Sequence, residues 1–355
     1  MTKNILPSNT KILMFDGSWK DAINLSVDDI LFDGNKILSI SSEKHKLFKI
    51  NLSNKDSVSF LDNDMIPYWR YNTKDKNVFN MKFNTAENII NKGLKKDHYK
   101  DGVLNQTTYN FNFPVNKLSE FKEQQHIIHP YALGLLLAEG MIGRVNRGTI
   151  RICNGEVDIL ENFERFSGLN HRQSVDEYHH NYPQKTNPKN EEYCEEIIRL
   201  GLNVNTEFKF IPNEYIFDSK ENRLMLLRGL FDGDGTVAIR EGRRVFQTTY
   251  STVSPKLKDG LILLLETLGI PHHVSISEGR ENEKRCYTIS FNSKDIPWLS
   301  IKHTQRAIGM RINPKIKWTI QSIDDCGTDN SIIITTEKDI QTDNILNYNN
   351  YKGEH

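Results

Sequence analysis

HPYALGLLLAEG at residues 129–140 and LLRGLFDGDG at residues 226–235 are two versions of one pattern. Each is an apolar run with small residues four apart that closes on an acid followed by glycine. The first supplies Gly134, Ala138, Glu139 and Gly140, the second Gly229, Gly233, Asp234 and Gly235. Residues one helical turn apart share a face, and Gly or Ala there lets a second backbone come close. The repeat therefore predicts two helices packed against each other in a two-fold design. The closing glycines are expected in the left-handed conformation that ends many helices, which leaves Glu139 and Asp234 at the two C-termini. A helix C-terminus is negative and two carboxylates repel, so the pair needs a cation or takes up protons. A divalent metal between them resolves the conflict. Hard oxygen ligands with room for water favour Mg²⁺ over zinc and suit phosphodiester hydrolysis by metal-activated water. One such acid alone is more commonly a solvated helix terminator; the duplication argues for chemistry.

Segments after each motif extend the pattern. After Asp234 come hairpin-like VAIREGRRVFQTTYST, helical SPKLKDGLILLLETLGI, then strand-like HHVSIS and CYTISF. A more diverged first half carries RGTIRICN as a strand, VDILENFERFSGL and EEYCEEIIRLGL as helices, then KFIPNEYIF. On these residues the chain resembles the LAGLIDADG homing endonucleases in their single-chain, two-motif form. The resemblance implies an α+β fold in which two pseudo-symmetric αββαββ halves, residues 126–218 and 219–312, form a saddle with sheets in the DNA major groove. It implies a metal site at Glu139 and Asp234 with Gly140 and Gly235, holding Mg²⁺ or Mn²⁺. It also implies that Lys209, in the segment Lys209-Phe210-Ile211-Pro212, is a catalytic lysine near the scissile phosphate, expected as an exposed phosphate contact. Lys302 is the expected basic counterpart in the second half, chosen from Lys302, His303 and Arg306. Glu139 departs from the usual Asp, and its extra methylene bears on cleavage of one strand, since Mg²⁺ demands tight geometry.

The chain ends carry a second resemblance. ILPSNTKILMFDGSWKDAINLSVDDILFDGNKIL at residues 5–38 and WTIQSIDDCGTDNSIIITTEKDIQTDNILNYN at residues 318–349 are similar to the opening and closing strands of an intein splicing domain. A split, β-rich Hint-like domain of residues 1–70 and 313–355 is therefore expected. Splicing chemistry is expected to be absent. Ile5 stands where a Cys or Ser nucleophile belongs, and Leu61, Asp62, Asn63 and Asp64 replace the Thr-x-x-His element. Tyr348-Asn349 replaces the closing His-Asn pair. A peptide-to-ester shift needs a hydroxyl or thiol, and Ile5 offers neither. Ser8 is better explained by a turn before a strand. The reading is a freestanding endonuclease on an intein-derived scaffold; the alternatives are a nucleic-acid-binding protein of the same fold, a maturase or regulator with weak or no cleavage, and a still-active intein.

Composition sets limits. A chain of 355 residues has room for two domains. It holds no long apolar run or secretory N-terminus, so neither a membrane partner nor export is expected. An intracellular location follows: the cytoplasm of a bacterial or phage-infected host, or a eukaryotic nucleus. Cys153, Cys194, Cys286 and Cys326 are scattered with no CxxC pair, which excludes a zinc finger or disulfide framework as the organising device. His126, His129, His179, His180, His272 and His273 share no ligand spacing with them. Formal net charge is zero, which argues against indiscriminate nucleic-acid binding yet permits a basic face balanced elsewhere. Arg144, Arg147 and Arg151 surround the first strand pair and Arg240, Arg243, Arg244 and Gln247 the second. Side chains alternate along a strand, so some of each set share a face where Arg and Gln can read base edges or clamp phosphates. The expected partner is double-stranded DNA with a long recognition site, bound by a monomer. Residues 71–125, polar and rich in Lys, Asn and aromatics, read equally as an accessory DNA-contacting region or as a loop-rich part of the Hint-like domain.

Overall fold

The computed structural model describes residues 2–14, 18–31, 35–53, 57–71, 79–114, 121–142, 148–170, 172–183, 187–239, 246–270, 272–279, 284–291, 303 and 317–337. Backbone contacts divide the chain into two units, residues 1–117 with 315–355, and residues 118–314.

The first unit is organised by the strand Lys317–Thr336. It lies inside a seven-stranded antiparallel sheet in the order Ser57–Leu61, Ser39–Leu52, Lys317–Thr336, Asn112–Pro114, Ile66–Tyr71, Phe79–Asn84. Thr2–Pro7 pairs with its far end, Thr2 opposite Thr336, so the unit is split in sequence and closed in space. A strand this long cannot stay flat, and its register shifts between Asp325 and Thr328. Gly327, at φ +74, takes up the irregularity while its N–H donates to Asp325 Oδ1 at 2.9 Å. One core gathers Phe48, Ile50, Phe60, Ile66, Phe113 and Ile320; a smaller one gathers Leu6, Ile12, Leu31, Ile37, Ile332 and Ile334.

Residues 79–114 fall in the first unit. Asn112–Pro114 pairs with Lys317–Thr319 on one side and with Trp69 on the other, which stitches the segment into the sheet. Within it, Lys95–Lys100 and Val103–Tyr109 form a two-stranded ribbon closed by Asp101 and Gly102, both at positive φ as a tight hairpin turn requires. Alternation puts Lys96, His98 and Lys100 on one face. Tyr99 and Val103 near the tip are 66% and 71% exposed.

In the second unit the two motif segments are helices, Pro130–Glu139 and Lys220–Asp234. Each starts on a capped N-terminus. His129 Nδ1 accepts from the Tyr131 N–H with Pro130 in the first turn, and Ser219 Oγ accepts from the Asn222 N–H. The small residues face each other across the contact. A Cβ built on Gly134 would come to 2.7 Å from the Leu230 amide nitrogen, and one on Gly229 to 2.9 Å from the Tyr131 carbonyl carbon. One on Gly233 would meet Ala138 Cβ at 2.6 Å. Tyr131 OH donates to Asp232 Oδ2 at 3.1 Å in the same buried seam.

Each motif helix leads into a sheet. After Asp234 the strands run Gly235–Ile239, Phe246–Thr252, Cys286–Phe291 and His272–Ser277 in spatial order, with the helix Pro255–Thr267 between the second and fourth in sequence. In the first half Gly140 bridges Ile152 in the strand Thr149–Cys153, which pairs with His179–Pro183 and, beyond it, Gln173–Ser174. The helix Val157–Ser167 fills the matching place and Pro188–Arg199 follows. The strand HHNYP escapes a sequence reading because its inward residues, His180 and Tyr182, are polar or amphipathic rather than aliphatic.

The closing glycines correct the expectation of a left-handed end. Gly140 has φ −79, ψ 134 and Gly235 φ −77, ψ 152, both extended. Glycine is required for space: a Cβ would lie 2.9 Å from Leu136 Cα at Gly140 and 2.7 Å from Phe231 Cα at Gly235. The chain thus turns from helix directly into strand.

Because Ala is a better helix former than Gly by about 1 kcal/mol, Gly229→Ala would stabilise a helix with a free face. Here the added methyl meets the Tyr131 backbone, and a loss of about 3 kcal/mol of unfolding free energy in urea is expected. A stabilised variant would show that the two backbones do not touch.

Candidate active site

The extended turn at each glycine delivers Glu139 and Asp234 to neighbouring helix ends. Glu139 leans toward the second motif, since a Cβ on Gly233, the residue before Asp234, would sit 3.0 Å from Glu139 Cγ. Burial first, and then the charge of Asp234, push the Glu139 carboxyl up to about 7; hydrogen bonding from Asn154 and the charge of Lys209 pull the other way. Asp234 is exposed, yet desolvation by the surrounding protein raises its carboxyl above the usual range, opposed by Lys209.

Lys209 is where the structure departs most from expectation. It is 3% exposed, not an exposed phosphate contact. Its ammonium lies under the end of the first motif helix. It donates to the carbonyls of Leu137 and Gly140 at 2.9 Å, and more weakly to those of Ala138 at 3.3 Å and Leu136 at 3.4 Å. These are the carbonyls a helix leaves unsatisfied at its C-terminus, so the lysine neutralises the negative helix end that the acids aggravate. Burial lowers its pKa to about 8 against the opposing pull of Asp234 and Glu139. Part of the cation that the two acids require is therefore already in the chain.

Asn154 is a site residue that sequence reasoning missed. Its Nδ2 donates to Glu139 Oε1 at 3.1 Å while its Oδ1 accepts from the Glu156 N–H at 2.8 Å, which fixes the amide orientation. His180 Nε2 lies 3.1 Å from the Asn154 carbonyl and its Nδ1 3.0 Å from Ser174 Oγ. The only signal in sequence was a polar residue between a strand and a helix, a place where capping is the ordinary explanation.

The donor set fits a hard divalent ion of the kind that takes one or two carboxylates and completes its shell with water and phosphate oxygens. The two raised carboxyls offer oxygen ligands, and the charge of Asp234 acts on Glu139 while Lys209 opposes the shift of both. Gly140 is less suited as a ligand than expected, because its carbonyl oxygen already accepts from Lys209. Among the described residues no group of three or more His, Cys, Asp or Glu is clustered as a metal cage. An open groove of about 450 Å³ beside the site is lined by residues that include Gly140, Thr206, Glu207, Lys209 and Lys284.

Of the expected DNA-contacting residues, Arg151 lies in the strand Thr149–Cys153 on the face opposite buried Ile150 and Ile152, and its Nε donates to Asn181 Oδ1 at 2.7 Å. Gln247 lies in the strand Phe246–Thr252. Arg144, Arg147, Arg240, Arg243, Arg244 and Lys302 lie outside the described residues. The second sheet adds an outward row that the arginine count overlooked: Ser251 stands opposite Thr288, their hydroxyls 3.0 Å apart, with Ser275 beyond. His126 is engaged elsewhere, its Nε2 lying 2.6 Å from buried Asp218 with its ring stacked on Tyr215.

Parts of this chain are similar to known proteins. Residues 221–299 match the LAGLIDADG-like domain. A stretch of 171 residues, 46% of the chain, is 31% identical to part of the ATP-dependent DNA helicase Hel308 of Thermococcus kodakarensis and covers 15% of that protein. A further 98 residues, 28% of the chain, are 30% identical to part of the uncharacterized protein MJ1054 of Methanocaldococcus jannaschii and cover 11% of it. The chain thus spans a small fraction of these relatives. Among solved structures it is similar to the homing endonuclease I-DmoI in complex with DNA and Mn, at 12% identity and TM-score 0.29 over 52% of this chain and 98% of that one. It is also similar to the gp41-1 intein, at 18% identity and TM-score 0.17 over 31% of this chain and 80% of that one.

The raised Glu139 carboxyl has a signed consequence. Its folded pKa lies above the unfolded value, so the native state holds the proton more tightly. Between the ordinary carboxyl value of 4.5 and about 7 the folded chain binds more protons than the unfolded one, and stability falls as pH rises through that window. Glu139→Gln should remove this fall: thermal unfolding should show little difference from wild type at pH 4.5 and a more stable variant at pH 8. Parallel profiles for the two proteins would contradict the raised value.

Proposed function

We propose that the chain is a site-specific endonuclease for double-stranded DNA, of the homing type, which hydrolyses phosphodiester bonds with Mg²⁺ or Mn²⁺ and acts as a monomer inside the cell. The observation that carries this reading is the delivery of two acids, by two closely packed motif helices, to one corner from which two sheets spread with open polar faces. The match of residues 221–299 to the LAGLIDADG-like domain supports the same conclusion.

In this reading the two halves form a saddle on the DNA, with Arg151, Ser251 and Thr288 among the side chains directed at the groove. Glu139 and Asp234 would hold the metal, which when bound supplies a water nucleophile at neutral pH and offsets phosphate charge. Lys209 offsets the negative end of the first motif helix, and its field opposes the protonation of both acids without cancelling it. Asn154 fixes the longer Glu139 side chain, so that its extra methylene bends toward Asp234 instead of swinging free. The ribbon face of Lys96, His98 and Lys100 supplies phosphate contacts. A binding protein with weak cleavage is the second reading, favoured by Glu139, whose uptake of protons near neutrality works against metal binding.

The first unit carries no splicing chemistry in this proposal. Ile5 lies in the strand Thr2–Pro7, and Asp64 closes a turn by accepting from the Leu61 N–H at 2.8 Å, an occupation unlike activation of a scissile peptide bond. Tyr348 and Asn349 lie outside the described residues.

Target sites are found by selecting cleaved sequences from a randomised or genomic DNA library with Mg²⁺. On such a site Asp234→Asn should abolish cleavage and leave specific binding intact, and the footprint of that stalled complex should shrink when Lys96 and Lys100 become Glu. Equal loss of binding and folding would make the acids structural, and binding by wild type without cleavage would establish the second reading. Residues 5–349 placed between two reporter domains should remain a single unspliced fusion by mass spectrometry; ligated reporters would restore splicing.

A further inference from the structure

The segment that carries Lys209 belongs to the first half in sequence but is fastened by the second half. Thr206–Phe208 is a single 3-10 turn, too short to hold a side chain in place by itself. Ser254 is fully buried at the N-terminus of the helix Pro255–Thr267, and its hydroxyl faces two ways. The Oγ accepts from the Leu257 N–H at 3.2 Å, capping the helix, and donates to the Lys209 carbonyl at 2.6 Å. The Thr252 hydroxyl accepts from the Ser254 N–H at 3.1 Å and holds the backbone of this corner. Two residues beyond Lys209, Ile211 lies so close to the same helix that a Cβ on Gly260 would approach its Cβ to 3.2 Å. On the outer side Glu207 forms an ion pair with Lys284, which again comes from the second half.

We infer that Ser254 is a positioning residue for Lys209, a clamp by which the second half sets where the first half's lysine sits. The Lys209 backbone is held by Ser254 and its ammonium by the first motif helix, so the lysine spans the two. A functional group must be held to a fraction of an ångström for its field to act on the groups it serves. The sequence explains why serine stands here: the position needs a hydroxyl that accepts and donates at once. Asp, the other strong capping residue, only accepts when ionised. This inference rests on the proposed role of Lys209, and its test separates the two.

Ser254→Asp keeps the cap and removes the donor, Ser254→Thr keeps both, and Ser254→Ala removes both. The rate at which an amine-acylating reagent modifies Lys209 in the full chain, quantified by mass spectrometry, reads the clamp without DNA or metal. Thermal unfolding reads the cap, and single-turnover cleavage at saturating protein, with DNA affinity measured beside it, reads the chemistry. Ser254→Asp buries a carboxylate against the Lys209 carbonyl and is expected to unfold below the wild-type midpoint, and at a temperature where it is folded to label several-fold faster at Lys209. Its cleavage should fall on the order of tenfold or more with DNA affinity unchanged, and Ser254→Thr should restore the wild-type values. If the Asp variant does not fold, the comparison passes to Ala against Thr at a temperature where both are folded. Unchanged Lys209 labelling in the donor-less variants overturns the clamp. Faster labelling with undiminished cleavage upholds the clamp and overturns instead the part of Lys209 in the reaction.

Discussion

The backbone contact between the two motif helices is the constraint on which the second unit depends. Gly134 against Leu230 and Gly229 against Tyr131 leave no volume for a side chain, so the helices meet at main-chain distance. Their ends then fall together, and with them the two acids. Had either glycine carried a side chain, the helices would stand apart by its thickness. Glu139 and Asp234 would then be two separate surface carboxylates with ordinary affinities for protons.

Bringing them together carries an electrostatic cost that the chain only partly offsets. Two carboxylates at two negative helix ends would repel each other and the carbonyls beneath them. Lys209 answers the carbonyls of the first helix, and Asn154 donates to Glu139. What remains is a pair of raised carboxyls, and this makes the corner sensitive to pH.

The first unit is held differently. Its stability comes from one long strand that pairs with elements from both ends of the chain, so that residues more than three hundred positions apart become neighbours. Two breaks in the register of that strand, one of them at Gly327, accompany its passage from one core to the other. Residues 112–114 are drawn into this sheet by the same pairing, which is why a segment whose composition reads as loop-rich becomes part of the scaffold.

Much of this was legible in the residues themselves. Small residues at helical spacing determined that two helices pack at close range, because the four-residue period and the volume of a side chain leave little choice. The order of strands and helices after Asp234 followed from alternation and from turn residues. Three things required the tertiary structure. Gly140 and Gly235 serve space and not a left-handed turn, since the atoms they would strike belong to their own helix as it bends into a strand. Lys209 is buried beneath the first helix, because its destination is set by carbonyls some seventy positions earlier. Asn154 and Ser254 act through hydrogen bonds whose partners are chosen by how the chain folds back. A local sequence pattern records which faces are apolar and where the backbone can approach closely. It does not record which distant carbonyl or carboxylate a polar side chain will meet, and that choice belongs to the packed molecule.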